Sequence, residues 1–175
     1  RTAYHRTSIM ARPDFLKTKL TESIRTRLYR HAMNVFPAIF GTGVKILFIE
    51  DKWHEVQLRL GVNFWSRNYV GTIFGGSMFS ATDPFYMIML YRILGTEYVV
   101  WDKSATIRFK RPGTEKIYAR LLLTPDFIEK VKNEVLEKGE MSYELKVNWV
   151  NKNEKVIAEI DRTLYVATKS FYKAK

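Results

Sequence analysis

The chain has 175 residues, enough for one domain with a core of ordinary size, and 46% of them are hydrophobic, which excludes a disordered protein. It contains no cysteine, which excludes disulfide bonds, thiolate metal ligands and a cysteine nucleophile. The formal charge of +11 lies mostly at the two ends of the chain. Residues 1–30 hold eight Lys/Arg against two acids and residues 169–175 hold three Lys and no acid, so residues 31–168 are nearly neutral.

This charge distribution divides the chain into three parts. Residues 1–40 form a basic N-terminal arm with an amphipathic helix, residues 41–168 form the globular domain, and residues 169–175 form a basic tail. The basic ends are either ordinary solvated surface or contacts for an anionic membrane surface or a partner subunit. No motif that reads RNA or DNA accompanies them, so we expect no nucleic-acid partner. The first residue is Arg1, so the sequence is silent on a signal peptide.

The first predicted element is a basic amphipathic helix that begins at Pro13 and ends near Pro37. Its apolar residues recur every four positions, at Leu16, Leu20, Ile24 and Leu28. Its other faces carry the basic residues Lys17, Lys19, Arg25, Arg27 and Arg30. We expect it to pack on its own domain or on a sister subunit, with binding to a membrane surface as an alternative.

Beyond this helix the apolar residues mostly alternate with polar ones, which is typical of strands with one buried face. Six such runs occur, at residues 44–48, 56–62, 105–109, 117–123, 143–149 and 156–168. A short charged helix is predicted over residues 126–138. In the last run the alternation slips near Arg162, which predicts a β-bulge there.

Between the second and third runs lies an apolar segment from Met78 to Leu94, followed by the helix-stopping Gly95. Asp83, Pro84 and Arg92 interrupt it, so it is a poor membrane span and a good buried helix. A helix that is apolar on all sides must be enclosed, and six antiparallel strands can enclose it as a curved sheet. The sequence therefore predicts an α+β hotdog fold, a six-stranded antiparallel sheet around a central apolar helix, with an extra N-terminal helix.

Gly75 and Gly76 at the entrance of the apolar segment admit two interpretations. Bare backbone N–H groups at a helix start can polarise a carbonyl oxygen, as an oxyanion hole does. Alternatively, the glycines only permit close packing of helix and sheet.

Asp83 is also open to two interpretations. A carboxylate buried among apolar side chains and without an ionic partner would have a raised pKa and serve as a general base. Alternatively, Asp83 caps the helix that begins at Pro84, because Asp followed by Pro is a common way to start a helix.

The segment around these residues resembles the PaaI-like hotdog thioesterases. In that family an Asn lies six residues before a His-Gly-Gly and an acidic residue lies nine after the His, and here Asn68, Gly75, Gly76 and Asp83 stand at that spacing. The run from Lys103 to Pro112 is similar to the family's post-helix strand and its Arg-Pro turn. The resemblance covers roughly residues 44–168. It is close to a branch in which Gly71-Thr72 precedes the glycine pair.

The resemblance implies an acyl thioester hydrolase, with acyl-CoA as the expected substrate and no cofactor. Asp83 would act as general base or nucleophile, the Gly76 N–H would hold the thioester oxygen, and Asn68 would orient water or substrate. Family members form these sites at dimer interfaces, so we expect a homodimer or a homotetramer. We also expect the protein to be located in the cytoplasm. Further residues expected to contact the substrate are Phe74, Gly75, Ser77, Met78 and Phe79, with Met87 and Met89 as additional pocket lining.

Three basic residues after the helix, Arg108, Lys110 and Arg111, are candidates for the phosphates of coenzyme A or are ordinary solvated charge. One position departs from the family pattern, because Phe74 replaces the motif histidine and a phenyl ring makes no imidazole hydrogen bond. This favours an alternative function, a non-catalytic binder of acyl-CoA or of a fatty acyl chain.

Other chemistries lack support in the sequence. His5, His31 and His54 show no ligand spacing with one another or with acids, so no metal site is predicted. Ser77 and Ser80 have no nearby base in the sequence, which disfavours a serine nucleophile.

Overall fold

The computed structural model describes residues 13–174; residues 1–12 of the predicted basic arm, and Lys175 of the predicted basic tail, lie outside the described residues. Six strands form one antiparallel sheet in the order β1-β2-β4-β5-β6-β3. The strands are β1 Lys45–Ile49, β2 Glu55–Leu60, β3 Tyr98–Phe109, β4 Ile117–Leu122, β5 Glu140–Asn151 and β6 Val156–Thr168. The helices are α1 Ile24–Val35, α2 Pro37–Phe40, α3 Gly75–Ser80, α4 Phe85–Leu94, α5 Pro125–Lys138 and α6 Lys169–Ala174.

The sheet encloses α3 and α4, as the hotdog prediction requires. Met78, Phe85, Met89 and Leu90 are fully buried in the core that these helices share with the inner face of the sheet. Two polar contacts fix the helices to β5. The Trp149 indole N–H donates to the carbonyl of Met78 at 2.9 Å, and the Tyr86 hydroxyl donates to the carbonyl of Lys146 at 2.7 Å. The predicted fold class is confirmed.

The prediction of one continuous helix from Met78 to Leu94 is wrong in one respect, because a turn at residues 81–84 separates α3 from α4. Pro84 has no N–H to donate to the carbonyl of Ser80, and its ring would clash with that carbonyl in a helix. The amide of Asp83 instead donates to the Ser80 carbonyl at 3.2 Å. The second helix still ends where predicted, at Gly95, which has a positive φ of 89°.

The N-terminal helix begins eleven residues later than predicted, at Ile24 instead of Pro13. Ser23 and Thr26 form a capping box that starts α1 at that point. The preceding residues are instead bound to the sheet around Glu55, a fully buried carboxylate of β2. Glu55 accepts hydrogen bonds from Arg120 at 2.7 and 3.0 Å and from Thr18 at 3.0 Å.

The predicted β-bulge near Arg162 does not lie in β6; a register shift occurs there in the facing strand β3. Arg162 pairs in regular register with Ala105 and Leu145 and points inward, where it is 1% exposed. In the strands that pair with β6, the register shifts lie between Asp102 and Ser104 of β3, opposite Leu164 and Thr163, and between Trp149 and Val150 of β5. The apparent slip in the pattern is a charged residue on the buried face of β6.

The two edges of the sheet differ in how they are covered. At the β1 edge, the Asn34 side chain of α1 accepts from the Ile46 N–H at 2.8 Å and donates to the Ile46 carbonyl at 3.1 Å. At the other edge, β3 pairs only with β6 among residues 13–174, and Val100 is its only residue with a buried side chain. The β3 edge is therefore the open edge of the sheet.

No helix within the described residues is long and apolar enough to cross a membrane.

Candidate active site

A groove of about 1050 Å³ runs between the helices and the start of β3. Its lining is mostly apolar and aromatic and comes from α1 and α2, from α3 and α4, and from β3: Tyr29, Met33, Phe36, Phe79, Met87, Ile88, Tyr91, Tyr98, Val99 and Trp101. Its polar lining residues include Ser80, Asp83, Arg92 and Lys169. A large apolar cleft with a few convergent polar groups is the usual form of a small-molecule site.

Asp83 reaches this groove from the turn between α3 and α4, held by Arg162. The Arg162 Nη1 atom lies 2.8 Å from the Asp83 Oδ1 atom, and Nη2 donates to the Phe79 carbonyl at 3.1 Å and to the Thr82 hydroxyl at 3.2 Å. The same guanidinium stacks on the Phe79 ring, 5.2 Å from its centroid. A buried guanidinium thus fixes the turn and one oxygen of the carboxylate at the same time.

Both sequence interpretations of Asp83 need correction. It is not a buried, unpaired carboxylate, because its side chain is 58% exposed and paired with Arg162. It does not cap α4 either, since that helix has no side-chain cap hydrogen bond. Its second oxygen, Oδ2, accepts no hydrogen bond from residues 13–174 and remains available to water or substrate.

Asp102 of β3 is a second carboxylate near the same guanidinium, and sequence analysis did not identify it. Its Oδ1 atom lies 3.5 Å from the Arg162 Nη1 atom, and its side chain is 26% exposed. Burial raises the pKa of Asp102 above its ordinary value; the charge of Arg162 opposes the rise and the charge of Asp83 adds to it. One buried cation is therefore shared between two acids that lie on different elements.

The glycine pair brings two aromatic rings against the start of α3. A Cβ atom at Gly75 would lie 2.6 Å from a ring carbon of Phe109, and a Cβ atom at Gly76 would overlap the ring of Phe74. In this arrangement the two rings occupy the space that a Cβ atom would need, which supports the packing interpretation. The oxyanion role of the Gly76 N–H stays a prediction.

Asn68 closes a short loop with its side chain. Its Oδ1 atom accepts from the Thr72 N–H at 2.9 Å and its Nδ2 atom donates to the Thr72 hydroxyl at 2.8 Å. Its amide group is therefore engaged within the loop. Its predicted part in catalysis stays a prediction.

The other predicted contact residues lie mostly away from the groove. Phe79 and Met87 line the groove, whereas Met78 and Met89 are buried in the core. A separate depression of about 410 Å³ is lined by Asn68, Gly75, Met78, Lys110 and Arg111, among others. Ser77 is buried and Phe74 is half exposed. In a single copy, Asp83 and Asn68 thus line different cavities.

The three basic candidates for coenzyme A phosphates contact their own sheet. Arg108 pairs with Glu159 and Asp161, and Lys110 pairs with Glu159 at 3.0 Å. Arg111 donates to the Val156 carbonyl at 2.7 Å. Arg111 makes no ion pair with a carboxylate of the described residues. Of these three basic residues, it therefore has the least compensated charge.

With this geometry in place, comparison with known proteins identifies the family. A family model described as "Domain of unknown function (DUF4442)" matches residues 25–166. The chain belongs to this family. The DUF4442 match covers all but the first residue of α1 and all six strands except the last two residues of β6, and it includes Asp83, Arg162 and every groove-lining residue but Lys169. No curated protein matches the sequence.

Solved structures with the same fold include several thioesterases. A protein of unknown function from Pseudomonas aeruginosa, named a "probable thioesterase", has a TM-score of 0.72 and 21% identity, with 82% of this chain and 95% of that chain covered. A thioesterase from Haemophilus influenzae has a TM-score of 0.60 and 12% identity, with 85% and 94% covered. A mutant thioesterase from Staphylococcus aureus has a TM-score of 0.57 and 11% identity, with 75% and 99% covered. At these low identities, the structural likeness shows that this chain has the hotdog fold and shows nothing more.

Proposed function

We propose that the protein hydrolyses acyl thioesters, with acyl-CoA as the substrate class and Asp83 as the general base. The observation that carries the proposal is the position of Asp83, which lines a large apolar groove while a buried arginine fixes one of its oxygens. An apolar groove of this size suits an acyl chain. A fixed carboxylate with a free oxygen suits the activation of water.

In the proposed reaction the acyl chain lies in the groove with its carbonyl near Asp83. Oδ2 accepts a proton from water as the water oxygen attacks the carbonyl carbon. The tetrahedral intermediate collapses with cleavage of the C–S bond, and the proton passes from Asp83 to the leaving sulfur. Arg162 supplies the counter-charge that holds the carboxylate in place during both steps. The Gly76 N–H is the proposed donor to the oxyanion.

We propose that two copies of the chain share the site, which is supported by the fact that Asn68 and Asp83 line different cavities in one copy. The open β3 edge is twelve residues long and exposes Trp101 and Phe109. Such an edge is an aggregation hazard unless a partner strand covers it. We therefore expect a homodimer paired through β3, or a tetramer built from it. Light scattering at micromolar concentration should give at least the dimer mass, and a monomer mass would exclude a shared site.

Chain length should determine specificity, because the groove is lined by apolar side chains. Each methylene buried contributes about 0.8 kcal/mol, so kcat/KM should rise about fourfold per methylene until the groove is full. Thiol release from acyl-CoA substrates of increasing length measures this. Met87→Gln should flatten the dependence because Met87 lines the groove.

Met141→Gln is the matched control for Met87→Gln, because Met141 is also a partly buried methionine but lies outside the groove. It should leave the chain-length dependence unchanged. Equal kcat/KM for acetyl-CoA and octanoyl-CoA in the wild-type protein would show that the groove does not hold the acyl chain.

One observation favours a second candidate function, a binder of acyl-CoA or of fatty acyl chains that does not hydrolyse them. Phe74 occupies the position of the motif histidine, and its ring lies against Gly76, next to the proposed oxyanion donor. A binder would use the same groove and the same ligands, so only turnover separates the two functions. The cytoplasmic location stays a prediction.

A further inference from the structure

A second apolar surface lies on the outside of the protein, formed by α1, α2 and the loop after β2. We call it the α1 surface; its apolar members are Ile24, Leu28, Val35, Phe40, Phe64 and Trp65, all exposed. Leu28 is 65% exposed and Phe64 is 88% exposed. The Trp65 ring centroid lies 5.3 Å from that of Phe40 and 5.4 Å from that of Phe64. Val35, Phe40 and Trp65 line one depression of about 540 Å³, and Val35 shares the outer stripe of α1 with Ile24 and Leu28.

Helix α1 has apolar residues on two opposite sides. Its inner side packs against the protein through Tyr29 and Met33, which contact the core and line the groove. Ile24, Leu28 and Val35 recur at helical spacing on the opposite side and face solvent. Packing among residues 13–174 accounts for the inner side only. The outer stripe is therefore available to a partner.

The charges around this surface are mostly basic, with Glu22 beside Arg27 and Arg30 as an acidic neighbour. Arg25 and Arg27 flank the stripe on either side, and Lys45 and Arg59 line the depression beside it. Helices α1 and α2 and residues 61–66 of the loop after β2, which build the surface, contain three arginines and no Asp or Glu. None of the described residues that line the depression is acidic. The partner should therefore be anionic as well as apolar.

A second copy of this chain fits that description poorly, because a self-complementary contact would bring the same arginines and lysines together. The α1 surface also lies beside β1, at the opposite end of the sheet order from the open β3 edge. An anionic lipid surface meets both requirements. Aliphatic and aromatic side chains enter the region between headgroups and acyl chains, while flanking Lys/Arg contact the headgroups.

We infer that the α1 surface docks the protein on membranes that contain anionic phospholipids, with α1 parallel to the bilayer plane. This inference rests on the exposure and charge of the surface and does not depend on thioester hydrolysis. It also differs from docking by the basic ends of the chain, because it assigns the contact to Leu28, Phe64, Trp65 and the arginines beside them.

Flotation of the full chain with vesicles tests the inference. Wild-type protein should float with vesicles of phosphatidylcholine and phosphatidylserine in a three-to-one ratio and float less with pure phosphatidylcholine. Leu28→Gln should weaken binding to the mixed vesicles by about tenfold, because a leucine no longer enters the apolar region. Leu136→Gln is the matched control, since Leu136 is an equally exposed leucine on α5, at 67%. It should bind as the wild type does.

Several results would overturn the inference. Wild-type protein that does not float with the mixed vesicles would do so, as would equal binding by Leu28→Gln and Leu136→Gln. A variant that combines Arg6→Gln, Arg12→Gln, Lys173→Gln and Lys175→Gln removes charge at the two ends of the chain only. Binding that disappears in this variant but survives Leu28→Gln would assign docking to the chain ends. A drop in oligomer mass on Leu28→Gln, without any change in vesicle binding, would assign the surface to a second copy.

Discussion

Replacing Asp83 with asparagine is expected to lower the rate of thioester hydrolysis by about 10²–10⁴-fold while leaving acyl-CoA binding largely intact. Asparagine keeps the volume of the side chain and can still accept the hydrogen bond from Arg162, but it cannot take a proton from water. Affinity should persist because the groove lining is unchanged. Thiol release gives the rate, and binding of a non-hydrolysable thioether analogue of octanoyl-CoA gives the affinity.

Asp102→Asn is the matched control for this variant. It removes the same charge from the surroundings of the same guanidinium, yet Asp102 does not line the groove. We expect a change in rate of less than about tenfold, well below the worth of a positioned base. If the two variants lose activity equally, the effect comes from the charge balance at Arg162 and Asp83 is not the base.

The largest expected effect on stability is that of Arg120→Met. Arg120 donates two hydrogen bonds to Glu55, which is fully buried, so its removal leaves a carboxylate without its cation in the interior. Breaking such a pair lowers the free energy of unfolding by about 3 kcal/mol. We take the lower end of the usual range because the Arg120 side chain is 32% exposed. Denaturant titration at neutral pH measures the loss.

The pH dependence and a double variant make this prediction specific. In the wild type, burial alone would raise the pKa of Glu55, but hydrogen bonds from Arg120, Gln57 and Thr18 bring it below its ordinary value. In the wild type, the Glu55–Arg120 pair therefore contributes its full stabilisation at pH values above the ordinary pKa of a glutamate. This stabilisation is lost as the pH falls through the lowered pKa of Glu55. The difference in free energy of unfolding between the wild type and Arg120→Met should shrink as the pH falls, because Glu55 can then become neutral.

Glu55→Gln/Arg120→Met should recover most of the stability at neutral pH, since neither partner is then charged. A double variant that is no more stable than Arg120→Met would show that the lost free energy reflects packing of the arginine chain.

The alternation of apolar residues was enough to predict the sheet, because a strand with one buried face repeats every two residues whatever its neighbours are. The same rule failed at Arg162, where a charged residue on the inner face was taken for a slip in register. Its position is explained only by contacts across the fold, with Asp83, Phe79 and Asp102. A single sequence does not show which distant residues will meet.

Only part of the candidate site was predicted, because its walls also come from residues that are distant in the sequence. Asp83 and Phe79 were identified from local sequence, and both line the groove. The remaining walls come from Tyr29 and Met33 of α1 and from the start of β3, which sequence analysis placed outside any strand. The start of α1 was misjudged because leucines at Leu16 and Leu20 continue the helical spacing, whereas contacts of Thr18 with Glu55 hold that segment outside the helix.

The most direct test of hydrolysis at Asp83 is a single-turnover experiment with excess wild-type protein and octanoyl-CoA, in which free thiol and intact thioester are measured together. Hydrolysis predicts one equivalent of free thiol for each acyl-CoA bound, and release at least about 10²-fold slower with Asp83→Asn. Wild-type protein that binds octanoyl-CoA, leaves it intact, and cannot be told apart from Asp83→Asn would contradict hydrolysis and assign the groove to acyl binding alone.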